Sequence, residues 1–445
     1  MSVLCLPRII PKKLVWHPRK AIGCCHKYRC QSTTNVNPSS GFGFSVAGLG
    51  LEKSFISPVI ASIRQLPEVD LLYTEDDDKK VSTNVPDNLT RAMDVFASFQ
   101  KGGNEHLAVC ALVAECQQLL ALYDESIETL NEIRYLLQSD KSTLQSLQDD
   151  ITLAQAKVFW TKGDFSTCQE LCESIISTYD DLGESFLTTN LHMASAMSGK
   201  ALSQLMAMNS LDDAYSVRDY FRITIKFLER HPPSSNSLPQ AVSHSNCGSA
   251  EAIYALFLEE TNNVSVPMDT ALRNWFQGML KLDGEESGSS PASRTLQSFM
   301  QSNLAWGILN YESDRSDRLT KASEYAKKAL AVQDNGNHIG VGGKRRVLAT
   351  VASCYHQAGS AVTAEGLFQS AIDRANLSPN PSSLLEIQDA YKGYSDLCRQ
   401  WDKREGDAKR LKHEAIAIND LLPDGWKNRS GMHSTLWFWT PGDFV

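Results

Sequence analysis

Residues 345–378, RRVLATVASCYHQAGSAVTAEGLFQSAIDRANLS, constrain the fold more than any other stretch. Leu348, Val351, Ala352 and Tyr355 recur at the i, i+3, i+4, i+7 spacing of one helical face. Ala364, Leu367, Phe368, Ala371 and Ile372 repeat that spacing. Gly359 stands between the two sets, where a residue that accepts positive φ ends the first helix. The segment predicts two antiparallel helices of about four turns each. Such a pair cannot bury both apolar faces by itself, so it requires neighbours of its own kind.

Weaker versions of the pattern run through the chain. Paired helical segments are predicted over 105–138, 143–179, 184–230, 249–281, 292–332 and 382–420. Their spacing varies from about 34 to over 40 residues. His231-Pro232-Pro233 stops one helix, and the Ser/Pro/Asn-rich residues 232–248 read as a long loop. The expected fold is all-α, an α-α superhelix of about six or seven antiparallel hairpins. The segments divide the chain into a leader over 1–40, a flexible linker over 41–87, the array over 88–420 and an aromatic tail over 421–445.

The stretch at 345–378 resembles a tetratricopeptide repeat. Leu348, Val351, Ala352, Tyr355, Gly359, Ala364, Phe368 and Ala371 fall on that family's signature positions. The usual closing proline is Asn376, with Pro379 three residues later. The turn Lys162-Gly163-Asp164-Phe165 is also typical of the family, with Ala156 and Phe159 matching before it and Cys168, Cys172 and Ile175 replacing the usual residues after it. The resemblance implies a scaffold with no chemistry of its own. It also implies that first-helix residues line a concave face. In the best repeat these include Arg346, Ser353, His356 and Gln357, and in the hairpin over 143–179 they include Lys157 and Trp160. Trp160, one turn from Lys157, is the candidate peptide anchor, because aromatic side chains dominate binding hot spots. The competing reading packs Trp160 against a neighbouring helix.

The tail differs from the array. Pro423, Gly425, Gly431, Pro441 and Gly442 preclude a long helix, and Trp426, Trp437, Phe438, Trp439 and Phe444 are too many aromatics to leave in water. Two readings follow: Trp437 and Trp439 fold back as a cap on the last hairpin, or they dock a partner.

Residues 1–51 hold no Asp or Glu but carry Arg8, Lys12, Lys13, Arg19, Lys20, Lys27 and Arg29. Such a leader suits organelle import, mitochondrial in first place, with plastid and cytoplasmic addresses as alternatives. Losing those seven charges takes the formal net charge from −9 to −16. An acidic body is a poor general binder of nucleic acid. No apolar run approaches the roughly 18 residues of a membrane span.

No catalytic set, cofactor site or metal site is expected. Gly340–Lys344 lacks the leading glycine of a phosphate loop, where His338 stands, and the following Ser or Thr, where Arg345 stands. Cys24, Cys25, His26 and Cys30 lack a closing ligand pair. Cys168 and Cys172, four apart, read as core. The leading expectation is a non-enzymatic scaffold or assembly factor in mitochondria that binds a protein segment. The alternatives are an RNA-associated factor in organelle gene expression and an accessory subunit of a larger enzyme complex.

Overall fold

Each hairpin pairs one helix buried on nearly every side with one buried along a single stripe. The computed structural model describes Ala114, Gln117, Gln118 and residues 122–138, 145–180, 191–208, 211–230, 237–258, 265–282, 291–311, 315–334, 344–372, 380–401 and 403–440. All of these lie in the second of two units, residues 38–445. The basic leader, the linker, the helix expected near 88–100 and the glycine-rich residues 340–343 lie outside the described residues.

Among the described residues there are thirteen α-helices, two short 3-10 helices and no strand. They are α1 Tyr123–Gln138, α2 Gln145–Lys162, α3 Phe165–Asp180, α4 Leu191–Ala207, α5 Leu211–Arg230, α6 Leu238–Leu258 and α7 Ser265–Leu282. There follow α8 Pro291–Tyr311, α9 Arg315–Asp334, α10 Lys344–Gln357, α11 Ala361–Ala371, α12 Pro381–Arg399 and α13 Glu405–Leu421. From α2 onward they form six consecutive hairpins, with each helix packed on the next. The even-numbered helices also pack on one another, α2 on α4, α6 on α8, α8 on α10 and α10 on α12. Among the described residues, no packing of that extent joins odd-numbered helices. The array therefore curves with the even helices on the inside.

Burial follows from that curvature. Inner helix α4 buries every residue from Met193 to Ser203. Outer helix α13 buries only Ala408, Leu411, Ala415 and Ile418, one stripe at helical period. The best repeat behaves as its pattern requires. Gly359 takes φ +78° between α10 and α11, and α11 buries Ala364, Phe368 and Ala371. Local signals set other boundaries. Asp164 Oδ1 accepts the backbone N–H of Thr167 to cap α3, and Asn380 caps α12 through Ser382 N ahead of Pro381.

One expectation is overturned. Residues 238–248 are not a loop but the first half of inner helix α6. Pro239 sits in its first turn, where a missing N–H costs nothing. Ser243, Ser245, Asn246 and Ser249 suggest a loop by composition, yet all are at most 2% exposed. Hydrogen bonds are met inside the protein, for Ser243 Oγ by Pro239 O and for Asn246 and Ser249 by the tail.

Candidate functional site: the inner face and the tail that fills it

After α13 the chain turns into the concavity. Asp424–Trp426 and Gly431–Thr435 form short 3-10 turns, and the second packs on α6 and α12. Residues 436–440 are buried apart from the partly buried Trp437. The tail is thus not a cap confined to the last hairpin. It crosses the inner face as far as α2 and α4.

An aromatic cluster marks the first contact. The Trp426 ring meets Trp160 edge-on at 5.1 Å and lies 5.8 Å from Phe165. Its indole N–H donates to the carbonyl of Trp160 at 3.1 Å, and Phe438 lies 6.2 Å from the Trp160 ring. Gly425 faces Gly163, which takes φ +86° at the α2–α3 turn. A Cβ on Gly425 would collide with the Gly163 carbonyl, so two glycines are needed for this approach.

Further along, inner-helix side chains hold the tail by its main chain. Asn246 Oδ1 accepts the Trp437 N–H at 2.8 Å, and Asn246 Nδ2 donates to the Trp437 carbonyl at 2.9 Å. Ser195 Oγ donates to Trp439 O at 2.6 Å. Arg346 donates to Gly431 O at 3.1 Å and to Asn303 Oδ1 at 3.0 Å. Ser249 and Thr435 share a hydroxyl bond of 2.7 Å. From the tail, Arg429 reaches back to the carbonyl of Met206 on α4.

The electrostatics are those of a closed interior. Burial lowers the pKa of Arg346, while Asp389 and Glu386 pull it upward. Burial, aided by the Arg429 charge, lowers His433 to about 3, so its ring is neutral and shares a 2.9 Å bond with Ser430. Burial raises the Asp150 carboxyl, against the opposing pull of His192 at 2.8 Å. On α6, Glu251 is wholly buried between Arg218 at 2.8 Å and Arg222 at 3.2 Å.

The expected contact residues fall into two groups. Trp160, Arg346, Trp437 and Trp439 come together with the tail, so Trp160 and Arg346 face this chain's own C-terminal segment rather than an empty groove. Ser353, His356 and Gln357 lie toward the far end of α10 and do not join them. Ser353 donates to Ala349 O, His356 pairs with Gln400 at 2.8 Å, and Gln357 is exposed on the last turn of α10. Lys157 is partly buried on α2, its carbonyl near the Gln118 amide. Sequence reasoning missed Asn246, Ser195, Ser249, Asn303 and Arg429. The available signal was a row of small polar residues at helical spacing, such as Ser243, Asn246 and Ser249, which suits a helix facing a polypeptide backbone.

Among the described residues, no group of His, Cys, Asp or Glu could hold a metal ion, and no helix is long and apolar enough to cross a membrane. Five described cysteines are buried and free. Burial pushes Cys247 up to about 12 and Cys354 to about 11, which keeps both as inert thiols. Cys172 is also raised, chiefly by its bond with Cys168.

No protein-family model matches the chain, and no curated protein sequence does. Among solved structures it is similar to a monomeric mutant of IFIT1 with m7Gppp-AAAA, at 15% identity and a TM-score of 0.34, covering 83% of this chain and 71% of that one. It is similar to the human IFIT1 dimer with m7Gppp-AAAA at 14% identity and a TM-score of 0.34, covering 85% and 72%. At that distance no ligand is carried over to this chain.

Proposed function

We propose that this chain is a non-enzymatic, tetratricopeptide-like scaffold of the mitochondrial matrix that holds an extended polypeptide by its main chain along the inner face. The observation that carries the reading is the Asn246 carboxamide, which matches both the N–H and the C=O of Trp437. A carboxamide used in this way recognises extended backbone whatever side chain it carries. Ser195 and Arg346 add two more main-chain contacts. The resident segment is the chain's own tail, and a partner exchanging with it would present an aromatic residue to the Trp160 end. The matrix address rests on the acid-free basic leader.

The test uses a chain lacking residues 423–445, titrated with a fluorescein-labelled peptide of those residues and read by anisotropy. Saturable binding is expected, weakened about tenfold by Asn246→Ala, as for the loss of a paired set of buried hydrogen bonds. In the full chain, Asn246→Ala should speed amide exchange over 431–440. A truncated chain that stays helical and leaves the peptide unbound refutes the reading. Import of the labelled full chain into isolated mitochondria, with removal of the leader, tests the address separately.

A further inference from the structure

The last hairpin carries a second concavity, outside the filled inner face. A cleft of about 560 Å³ lies between α12, α13 and residues 428–429 of the docked tail. Four cations line it, Lys392, Arg399, Lys412 and Arg429, against one carboxylate, Asp396. That sign is opposite to the chain's formal −9. Asp396 already pairs with Arg399 at 3.0 Å, and Lys392 leans on Gln388 Oε1 at 3.0 Å. Lys412 is exposed and has no hydrogen-bond or ion-pair partner among the described residues. Between the cations stands Ile416, 55% exposed on the terminal helix. Solenoids normally present a polar face at such an end.

From these features we infer that the cleft docks a short acidic segment of a partner protein, in which carboxylates alternate with aliphatic side chains. The spacing fits. Lys392 to Arg399 on α12, and Lys412 to Asn419 on α13, each span about 10 Å at 1.5 Å per residue, the length of about three extended residues. Lys392 and Arg399 stand two helical turns apart on one wall and Lys412 stands on the other, an arrangement that suits spaced carboxylates. The aliphatic side chains cover Ile416. Asn419 and Asn428 also line the cleft, and they join α13 to the tail: Asn419 Oδ1 accepts the Asn428 N–H at 2.8 Å, and its Nδ2 donates to Asn428 Oδ1 at 3.4 Å. No aromatic residue lines the cleft, so a nucleobase finds no stacking platform. The surface is separate from the Asn246 contacts; Arg429 lends it charge while its guanidinium stays on the Met206 and Gly425 carbonyls, so the exposed Lys392, Arg399 and Lys412 make the direct contacts.

The test uses the full chain and a fluorescein-labelled hexapeptide alternating glutamate and leucine, read by anisotropy. Binding is expected to weaken about fivefold between about 50 and 300 mM salt, because exposed charges are screened. It should weaken about tenfold or more in the Lys392→Glu, Lys412→Glu double variant. Both lysines are exposed at the cleft, so circular dichroism of that variant should match the parent. A control hexapeptide of lysine and leucine should not bind. Failure of the acidic peptide to bind, or binding unchanged in the double variant, overturns the inference. So does an oligouridylate of equal charge that binds more tightly and displaces the peptide. The Lys392→Glu, Lys412→Glu double variant should leave amide exchange over 431–440 unchanged, which separates this binding from the inner-face reading.

Discussion

Trp426 joins the two ends of the described array, and its removal has a calculable effect. The residue is 1% exposed, its ring lies against Trp160 and Phe165, and its indole N–H bonds a carbonyl 266 residues away. Trp426→Ala removes the packing of a fully buried indole, about 3–5 kcal/mol including the cavity left behind. It also leaves the Trp160 carbonyl with the Gly163 N–H as its remaining donor, a loss of about 1 kcal/mol more. The sum is about 4–6 kcal/mol, a large share of the roughly 5–15 kcal/mol typical of folded proteins. Trp426→Phe keeps most of the ring and loses the hydrogen bond, so it should cost about 1–2 kcal/mol. Urea unfolding followed by circular dichroism gives the totals. Hydrogen exchange gives the location: in Trp426→Ala, α2 and α13 should lose protection together, although α2 is unaltered in sequence. A loss under about 1 kcal/mol, or exchange raised only within 423–440, refutes the argument that this side chain clasps the array.

Two other outcomes follow from single residues. At Gly359, φ +78° with open space around the missing Cβ isolates the backbone term, so Gly359→Ala should destabilise by about 1–2 kcal/mol, whereas Gly366→Ala within α11 should stabilise by up to about 1 kcal/mol; thermal melts of the pair check both. His433 is held neutral, with its pKa at about 3 against the ordinary 6.5, so the unfolded chain takes up a proton that the folded chain refuses. Its contribution is complete above pH 6.5 and is lost as pH falls toward 3, about 2 kcal/mol by pH 5; urea titrations across that range should steepen with acid in the parent and flatten in His433→Gln.

The outer helices and the best repeat were legible because their apolar residues fall on one stripe. In α11 and α13 the buried residues are those that periodicity selects. The inner helices defeat the same reasoning. A helix enclosed by neighbours on both sides and by the tail on a third has no polar face to mark its period, and α6 adds serine and asparagine whose partners lie far off in sequence. Its first half therefore read as loop. The candidate site divides similarly. Trp160 and Arg346 were found because the repeat places them inside. What covers them was not legible, since no local property of residues 423–440 specifies a contact with α2 or α4. The aromatic content showed only that the tail must be buried somewhere.

The tail also sets an order of events during synthesis. Trp160 is made 266 residues before the indole that bonds its carbonyl. At about 5–20 residues per second, this leaves the inner face open for about 13–53 seconds after α2 has been made. Through that interval the hairpins can stack, but Trp160, Ser195, Asn246 and Arg346 have no partner strand. Any chain cut short before residue 423 stays in that state. The inner face is thus closed by a segment made long after it, and a copy that lacks that segment is distinguished from one that has it by an exposed, peptide-shaped vacancy.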